Sequence, residues 1–92
     1  MRLIMDIKAM DEYSDWATEN KRLFQKTRKL IKDILHNGCD KGEGSPEPLK
    51  GNLLGFYSRE IDKKNRLVYY VENRDGEEIL VIVSCKGHYG DK

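Results

Sequence analysis

The sequence predicts an α+β fold in which two antiparallel N-terminal helices pack on a four-stranded, mainly antiparallel sheet. Three observations predict it: apolar residues at helical spacing in the N-terminal part, a glycine-rich polar segment after them, and three strand-like runs in the C-terminal part. At 92 residues the chain should form one domain with a single modest core.

The N-terminal part begins with "RLIM", residues 2–5, which reads as a short strand. Asp6 suits the N-cap of a first helix, and a second helix should start near Asn20 and end at "HNG". The stripe predicted to be buried on the first helix is Ile7, Met10, Tyr13, Trp16 and Ala17. The stripe predicted on the second helix is Leu23, Thr27, Leu30, Ile31, Ile34 and Leu35.

The C-terminal part predicts a three-stranded meander. "GFYSREI" leads through "DKKN" into "RLVYYVE", which leads through "NRDGE" into "ILVIVSCK". The Asp-Gly pair is a strong hairpin signal. Because the last run is apolar on both faces, we expect a central strand that pairs with the first strand of the chain.

Composition excludes several classes of protein. The longest apolar run, "ILVIVSC", is strand-sized, and "MRLIMDIK" turns acidic too early for a secretory signal. No membrane association is therefore expected, and the cytoplasm is the default location. Cys39 and Cys85 lack the spacing of a zinc site, so we expect neither a metal nor a cofactor.

The charge is balanced overall but unevenly distributed. The formal net charge is +1, yet residues 21–32 carry six basic residues and no acidic one. These residues are Lys21, Arg22, Lys26, Arg28, Lys29 and Lys32. A basic helix is either an RNA contact or a solvated face, and charge alone favours the solvated face.

The segment "GSPEPLKG", residues 44–51, contains both prolines of the chain, with Glu47 between them. Pro46 fixes its own backbone, and Pro48 disfavours helical geometry at Glu47. A carboxylate whose backbone is restrained on both sides suits a catalytic role, because catalysis depends on positioning.

Other candidates for chemistry lie downstream: Arg59, Arg66 and the "HY" of His88 and Tyr89. Metal-free RNA cleavage needs a base, an acid and cations near the phosphate, and these residue types supply them. Each also has an ordinary explanation, since Arg66 can pair with Asp62 or Glu60 and a histidine near a terminus is commonly solvated. Taken singly, the ordinary explanations are favoured.

The linked stretches "PEPLK", "NLLGFYSR", "NRLVY" and the closing "HY" resemble, in order and spacing, the YoeB branch of the RelE superfamily of toxin–antitoxin ribonucleases. The "Y..W" of the first helix and the "LIKDI" of the second extend the resemblance to almost the whole chain. About residues 90–92 would form a C-terminal extension of a single toxin domain spanning 1–92.

The resemblance implies a toxin that cleaves mRNA in the ribosomal A site without a metal. Glu47 would be the general base, His88 the general acid, Arg66 the cation that stabilises the phosphorane, and Tyr89 would orient the nucleotide. Lys50 and Arg59 match basic family positions near the substrate backbone.

The resemblance also implies partners. These are a YefM-type antitoxin, the 70S ribosome with its mRNA, operator DNA only through the antitoxin complex, and a second copy of the chain. The basic second helix would then contact ribosomal RNA.

The chain departs from the family pattern at three places. Glu60 stands where the family often has an arginine, Met5 stands where tryptophan is common, and "GDK" follows the usual final tyrosine.

Two other functions are alternatives to nuclease activity. One is a protein-binding poison without nuclease activity, and the other is a module that only represses its own operon together with the antitoxin. A protein-binding poison does not need an acid, a base and a phosphate cation together. Pure repression predicts that changing Glu47 or His88 leaves the cellular effects unaltered.

Overall fold

A computed structural model describes residues 1–87. Its helices are α1 (Ile7–Glu19) and α2 (Lys21–Asn37). Its strands are β1 (Arg2–Met5), β2 (Glu47–Pro48), β3 (Tyr57–Glu60), β4 (Arg66–Arg74) and β5 (Glu77–Ser84). A single 3₁₀ turn covers Gly51–Leu53. The predicted α+β class is confirmed.

Within residues 1–87 the sheet has five strands in the order β1-β5-β4-β3-β2, one more than predicted. The strand that the sequence did not predict is β2, where Glu47 lies opposite Ser58 and Pro48 lies opposite Tyr57. Proline cannot donate to a ladder, and β2 is accordingly an edge strand. The prolines therefore hold Glu47 extended beside the sheet rather than in an irregular loop.

The predicted pairing of the first and last strands is confirmed. β1 runs parallel to β5, and every other pair in the sheet is antiparallel. β5 lies between β1 and β4, and its segment Ile79–Ile82 is buried, as its two apolar faces predicted. The β4–β5 hairpin turns at Asp75 and Gly76, which both have positive φ, as a type I′ turn requires.

Helix α2 follows the prediction closely. Asn20 caps it through a hydrogen bond that its side chain accepts from Leu23 N–H (3.1 Å). The helix ends at Gly38, whose φ of 92° a residue with a Cβ rarely adopts. Of the predicted stripe, Leu35 is partly buried. The buried members are Leu23, Thr27, Leu30, Ile31 and Ile34.

Helix α1 is rotated relative to the prediction. Ile7 and Met10 are 75% and 50% exposed, whereas Ala9 is fully buried. The rotation places Glu12 beside β5, where its carboxylate accepts the backbone N–H of Cys85 (2.8 Å). Periodicity alone could not predict this, because it assigns a glutamate to the solvent side. Trp16 remains in the core and donates from its indole N–H to the Cys85 carbonyl (2.9 Å).

The two faces of the sheet differ because side chains alternate along each strand. Leu67 and Tyr69 of β4 point toward the helices and join the core cluster with Leu30 and Ile34. Glu60 is the cross-strand partner of Arg66 and belongs to the opposite, helix-free face. Within residues 1–87, no helix is long and apolar enough to cross a membrane.

Candidate active site

The helix-free face brings together Glu47 and Arg66, two of the residues to which the family resemblance assigns catalytic roles. Nη2 of Arg66 lies 3.5 Å from Oε1 of Glu47. The side chain of Arg66 is 11% exposed and that of Glu47 is 50% exposed. The cation is thus largely enclosed, and the carboxylate is accessible.

Two further residues of β3 contact Arg66. Ser58, which is fully buried, accepts a hydrogen bond from Nε of Arg66 (2.9 Å). Oε1 of Glu60 lies 3.9 Å from Nη1 of the same guanidinium. The expected ordinary pairing of Arg66 with Glu60 therefore exists, but it accompanies the contact with Glu47 rather than replacing it.

His88 and Tyr89 lie outside the described residues. The segment that leads to them is anchored on two sides. The N–H of Gly87 donates to Oδ1 of Asn65 (2.7 Å), and the Gly87 carbonyl accepts the N–H of Arg66 (2.9 Å). On the helix side, Nζ of Lys86 lies 3.2 Å from Glu19 and 3.4 Å from Asp15. The main-chain hydrogen bond thus joins Arg66 directly to the residue before His88.

The burial of Arg59 contradicts its expected contact with the substrate backbone. Its side chain is completely buried, because alternation along β3 turns it to the helix face between Ser58 and Glu60. The guanidinium donates to Asp33, the Tyr69 hydroxyl and the backbone carbonyls of Gly38, Lys41 and Glu43. All these partners lie on α2, β4 or the loop after α2, so Arg59 fastens that loop to the sheet.

The surroundings of Arg59 shift the pKa values of two of its partners, Asp33 and Tyr69. Burial alone would raise the pKa of Asp33, but hydrogen bonds from Arg59, the Glu43 N–H and Asn37 outweigh burial and lower it. Burial raises the pKa of Tyr69, whose hydroxyl donates to the Cys39 carbonyl (2.6 Å). At neutral pH this cluster therefore pairs an ionised carboxylate with the arginine and keeps the phenol protonated.

The loop that Arg59 fastens carries Glu47 into place. The N–H of Glu60 donates to the Gly44 carbonyl (2.7 Å), and the N–H of Leu49 donates to the Phe56 carbonyl (2.9 Å). A Cβ on Gly44 would meet a Leu30 methyl at 2.9 Å and the Glu60 carbonyl at 3.2 Å, so only glycine fits there. Main-chain hydrogen bonds at Gly44 and at Leu49 therefore fix the chain on both sides of Glu47.

The remaining candidates lie at the surface. Lys50 is exposed at the start of the 3₁₀ turn. Along α2, Lys26 is half-buried, and Lys29 lies 3.3 Å from Glu43. Apart from Lys26, the residues predicted to contact ribosomal RNA are exposed: Lys21, Arg22, Arg28, Lys29 and Lys32.

Residues 1–87 form no pocket. No group of three or more acidic, cysteine or histidine residues that could hold a metal ion occurs in this part of the chain. Sequence reasoning missed Ser58, Asp33 and Asn65. Alternation about Arg59 could have placed Ser58 beside Arg66, but no sequence signal links Asp33 to Arg59 or Asn65 to Gly87.

Comparison with known proteins identifies close relatives of the whole chain. A toxin from Escherichia coli K12 named YoeB is 42% identical over 89 residues, which cover 97% of this chain and all of that protein. A YoeB toxin from Synechocystis is 45% identical over 75 residues, covering 80% of this chain and 81% of that protein.

Solved structures give the same result. A YoeB/ParE toxin from Agrobacterium tumefaciens superposes with a TM-score of 0.89 at 32% identity, covering 97% of this chain and all of that one. YoeB of Staphylococcus aureus, solved as a dimer, gives a TM-score of 0.83 at 37% identity, covering 97% of this chain and 98% of that one. The YoeB–YefM toxin–antitoxin heterotetramer from the same species gives 0.84 at 38% identity, with the same coverage.

The model of one protein family matches residues 5–89, almost the entire chain. This chain therefore belongs to the YoeB-like toxins of bacterial type II toxin–antitoxin systems.

Proposed function

We propose that this chain is a ribosome-dependent endoribonuclease that cleaves mRNA in the ribosomal A site without a metal and so inhibits translation. The observation that carries the proposal is the meeting of Glu47 and Arg66 on an open sheet face, with Arg66 bonded to the residue that precedes His88. Family membership and the matching positions of His88 and Tyr89 supply the rest of the machinery.

The proposed reaction is an internal transfer at phosphorus. Glu47 takes the proton of the 2′-hydroxyl, the 2′-oxygen bonds to phosphorus, and the bond to the 5′-oxygen breaks. His88 gives its proton to that leaving oxygen, while Arg66 stabilises the added negative charge of the pentavalent intermediate. The products are a 2′,3′-cyclic phosphate and a 5′-hydroxyl, and Tyr89 orients the nucleotide. Lys50, exposed beside β2, contacts the RNA backbone.

A near-neutral toxin suits a substrate that the ribosome presents, because tight binding of free RNA is then unnecessary. The exposed basic residues of α2 supply the contact with ribosomal RNA, since lysine and arginine bind phosphates. Lys21, Arg28 and Lys32 share one helix face by their spacing. Changing these three to glutamate should weaken ribosome association more than antitoxin binding, and equal loss of both would contradict the contact.

The antitoxin is the other proposed partner. The solved complex of the Staphylococcus aureus relative contains YefM, which supports a YefM-type antitoxin for this chain, with operator DNA bound only through the complex. The dimer of that relative supports a homodimer.

The decisive experiment is cleavage of an mRNA on programmed ribosomes by the parent and by Glu47→Ala, Arg66→Ala and His88→Ala. We expect each variant to cut at least about a hundredfold more slowly. Glu72→Gln is a matched control, because Glu72 pairs with Arg74 at the far end of β4 (2.9 Å). Product ends with a 3′-hydroxyl, or normal cutting by all three variants, would refute the mechanism. Growth inhibition that survives in variants unable to cut would favour the protein-binding or autorepression alternatives.

A further inference from the structure

Ser58 is a fully buried polar residue at the centre of the site that the proposed chemistry does not use. Its hydroxyl oxygen lies 2.9 Å from Nε of Arg66 and accepts a hydrogen bond from it. Hydrogen bonds to a charged group are stronger than those between neutral groups. The contact therefore bears directly on where the guanidinium lies.

Ser58 is held by strands on both sides. It is the cross-strand partner of Glu47 in β2 and of Val68 in β4. Its position is thus fixed relative to the strand that carries the carboxylate and to the strand that carries Arg66. A displacement of the Ser58 backbone would require a shift of one of these two ladders.

The bond at Nε sets the direction of the rest of the guanidinium. Arginine is planar at its head but flexible along its stem, so one fixed nitrogen restricts both remaining nitrogens. With Nε on Ser58, Nη2 faces Glu47 at 3.5 Å and Nη1 faces Glu60 at 3.9 Å. Both nitrogens therefore face carboxylates that are about half exposed, on the side of the sheet where a scissile phosphate would approach.

We propose that Ser58 is a positioning residue that holds the guanidinium of Arg66 in the orientation needed to stabilise the phosphorane. This inference rests on the proposed nuclease function. The hydroxyl itself touches no substrate, and its whole effect passes through Arg66. Removing it should lower kcat about tenfold, the value expected for one hydrogen bond to a charged group, and leave KM nearly unchanged.

The test is a double-mutant cycle in ribosome-dependent cleavage with Ser58→Ala, Arg66→Ala and the combined variant. We expect Ser58→Ala to slow the parent about tenfold and to have no further effect when Arg66 is already alanine. Thr27→Val is the matched control, because it removes another fully buried hydroxyl, bonded to the Leu23 carbonyl (2.8 Å) far from the site. Thermal unfolding of all variants measures the stability lost, and Thr27→Val should cleave normally.

The outcomes separate the two proposals. If Arg66→Ala cleaves normally, the proposed function fails. If Arg66→Ala is slow but Ser58→Ala is normal, or Ser58→Ala slows both backgrounds equally, the positioning role fails. A second readout is hydrogen exchange of the Arg66 Nε–H by NMR, which we expect to be slow in the parent and in Thr27→Val and fast in Ser58→Ala. Slow exchange in folded Ser58→Ala would also overturn the inference.

Discussion

The backbone N–H of Arg66 donates a hydrogen bond of 2.9 Å to the carbonyl oxygen of Gly87. These residues are 21 positions apart in the sequence, yet the bond fixes the start of β4 against the chain just before His88. The return bond runs from Gly87 N–H to the side chain of Asn65 (2.7 Å). Asn65 also donates from its backbone N–H and its side-chain amide to the Asp62 carboxylate (2.7 and 3.0 Å). The turn 62–65 therefore holds Asn65 in place, and the two hydrogen bonds between residues 65–66 and Gly87 form a tether at the start of β4.

Replacing Asn65 with alanine should loosen the approach to His88 without unfolding the sheet. The lost side-chain bonds to Gly87 and Asp62 should together cost about 1–2 kcal/mol of unfolding free energy, and the loss of the bond to Gly87 should slow mRNA cleavage several-fold. Asn73→Ala is the control, because Asn73 accepts the same kind of backbone bond from Gly76 (3.0 Å) in the distant hairpin. Comparable rates for the two variants at equal stability would contradict a role for the tether.

Glu60 should restrain activity, since its carboxylate lies 3.9 Å from Nη1 of Arg66 and would compete with the proposed phosphate for that cation. The carboxylate is half-exposed, and exposed pairs contribute about 0.2–1 kcal/mol. Glu60→Gln should therefore raise kcat/KM by up to about fivefold, and more at low than at high salt. Glu72→Gln, at the far end of β4, should change nothing. A slower Glu60→Gln enzyme would instead assign Glu60 a part in catalysis.

The buried pair of Asp33 and Arg59 should make stability sensitive to acid. The pKa of Asp33 is lower in the folded chain than its ordinary value, so its ionised form stabilises the fold above the unfolded pKa. That contribution is lost as pH falls through the folded pKa. Asp33→Asn should cost about 3–5 kcal/mol at pH 7, because it leaves the buried Arg59 without a counter-ion.

Urea unfolding from pH 7 to about pH 2 tests this prediction. We expect the difference between the parent and Asp33→Asn to stay constant down to about pH 5 and to shrink at lower pH, where the unfolded parent takes up a proton at Asp33 before the folded parent does. Asp11→Asn, on the exposed part of α1, should follow the parent throughout. A difference that stays constant with pH would show that Asp33 does not contribute through its charge.

Local patterns were sufficient to predict most of the architecture. The Asp-Gly turn, the start of the second helix near Asn20 and the two apolar faces of β5 each depend on residues close in sequence, and each is confirmed. The fifth strand was not predicted, because two residues are too few to show any period. The rotation of α1 was not predicted either, because the backbone N–H that accommodates Glu12 belongs to Cys85 at the far end of the chain.

The sequence predicted which types of residue form the site, but only some of the contacts between them. Arg66 and Glu47 were chosen for their chemistry, and the structure places them 3.5 Å apart. The family resemblance placed Arg59 near the substrate backbone. Side chains alternate along β3, however, so Arg59 points toward the helices while Ser58 points toward Arg66. A buried arginine is rare enough that sequence reasoning favours exposure, and only the carboxylate of Asp33 and the surrounding carbonyls make its burial tolerable.

Replacing Pro46 and Pro48 with alanine should slow cleavage by releasing the backbone of Glu47. The fold should persist, because Gly44 and Leu49 remain bonded to the chain around β3 on either side of the segment. Two alanines widen the unfolded ensemble and should cost about 1–2 kcal/mol. Ribosome-dependent cleavage, thermal unfolding and antitoxin binding should be measured together, with loss expected mainly in the first.

The comparison that isolates this effect uses Glu47→Ala as a second background. If the prolines act by placing the carboxylate, the double alanine change should slow the parent and leave the already slow Glu47→Ala variant unchanged. Equal slowing in both backgrounds would mean that the prolines shape the site through something other than Glu47. Because β2 pairs only Glu47 and Pro48 with β3, two residues hold this strand in register. The rigidity of the prolines therefore supplies order that a longer strand would obtain from its ladder.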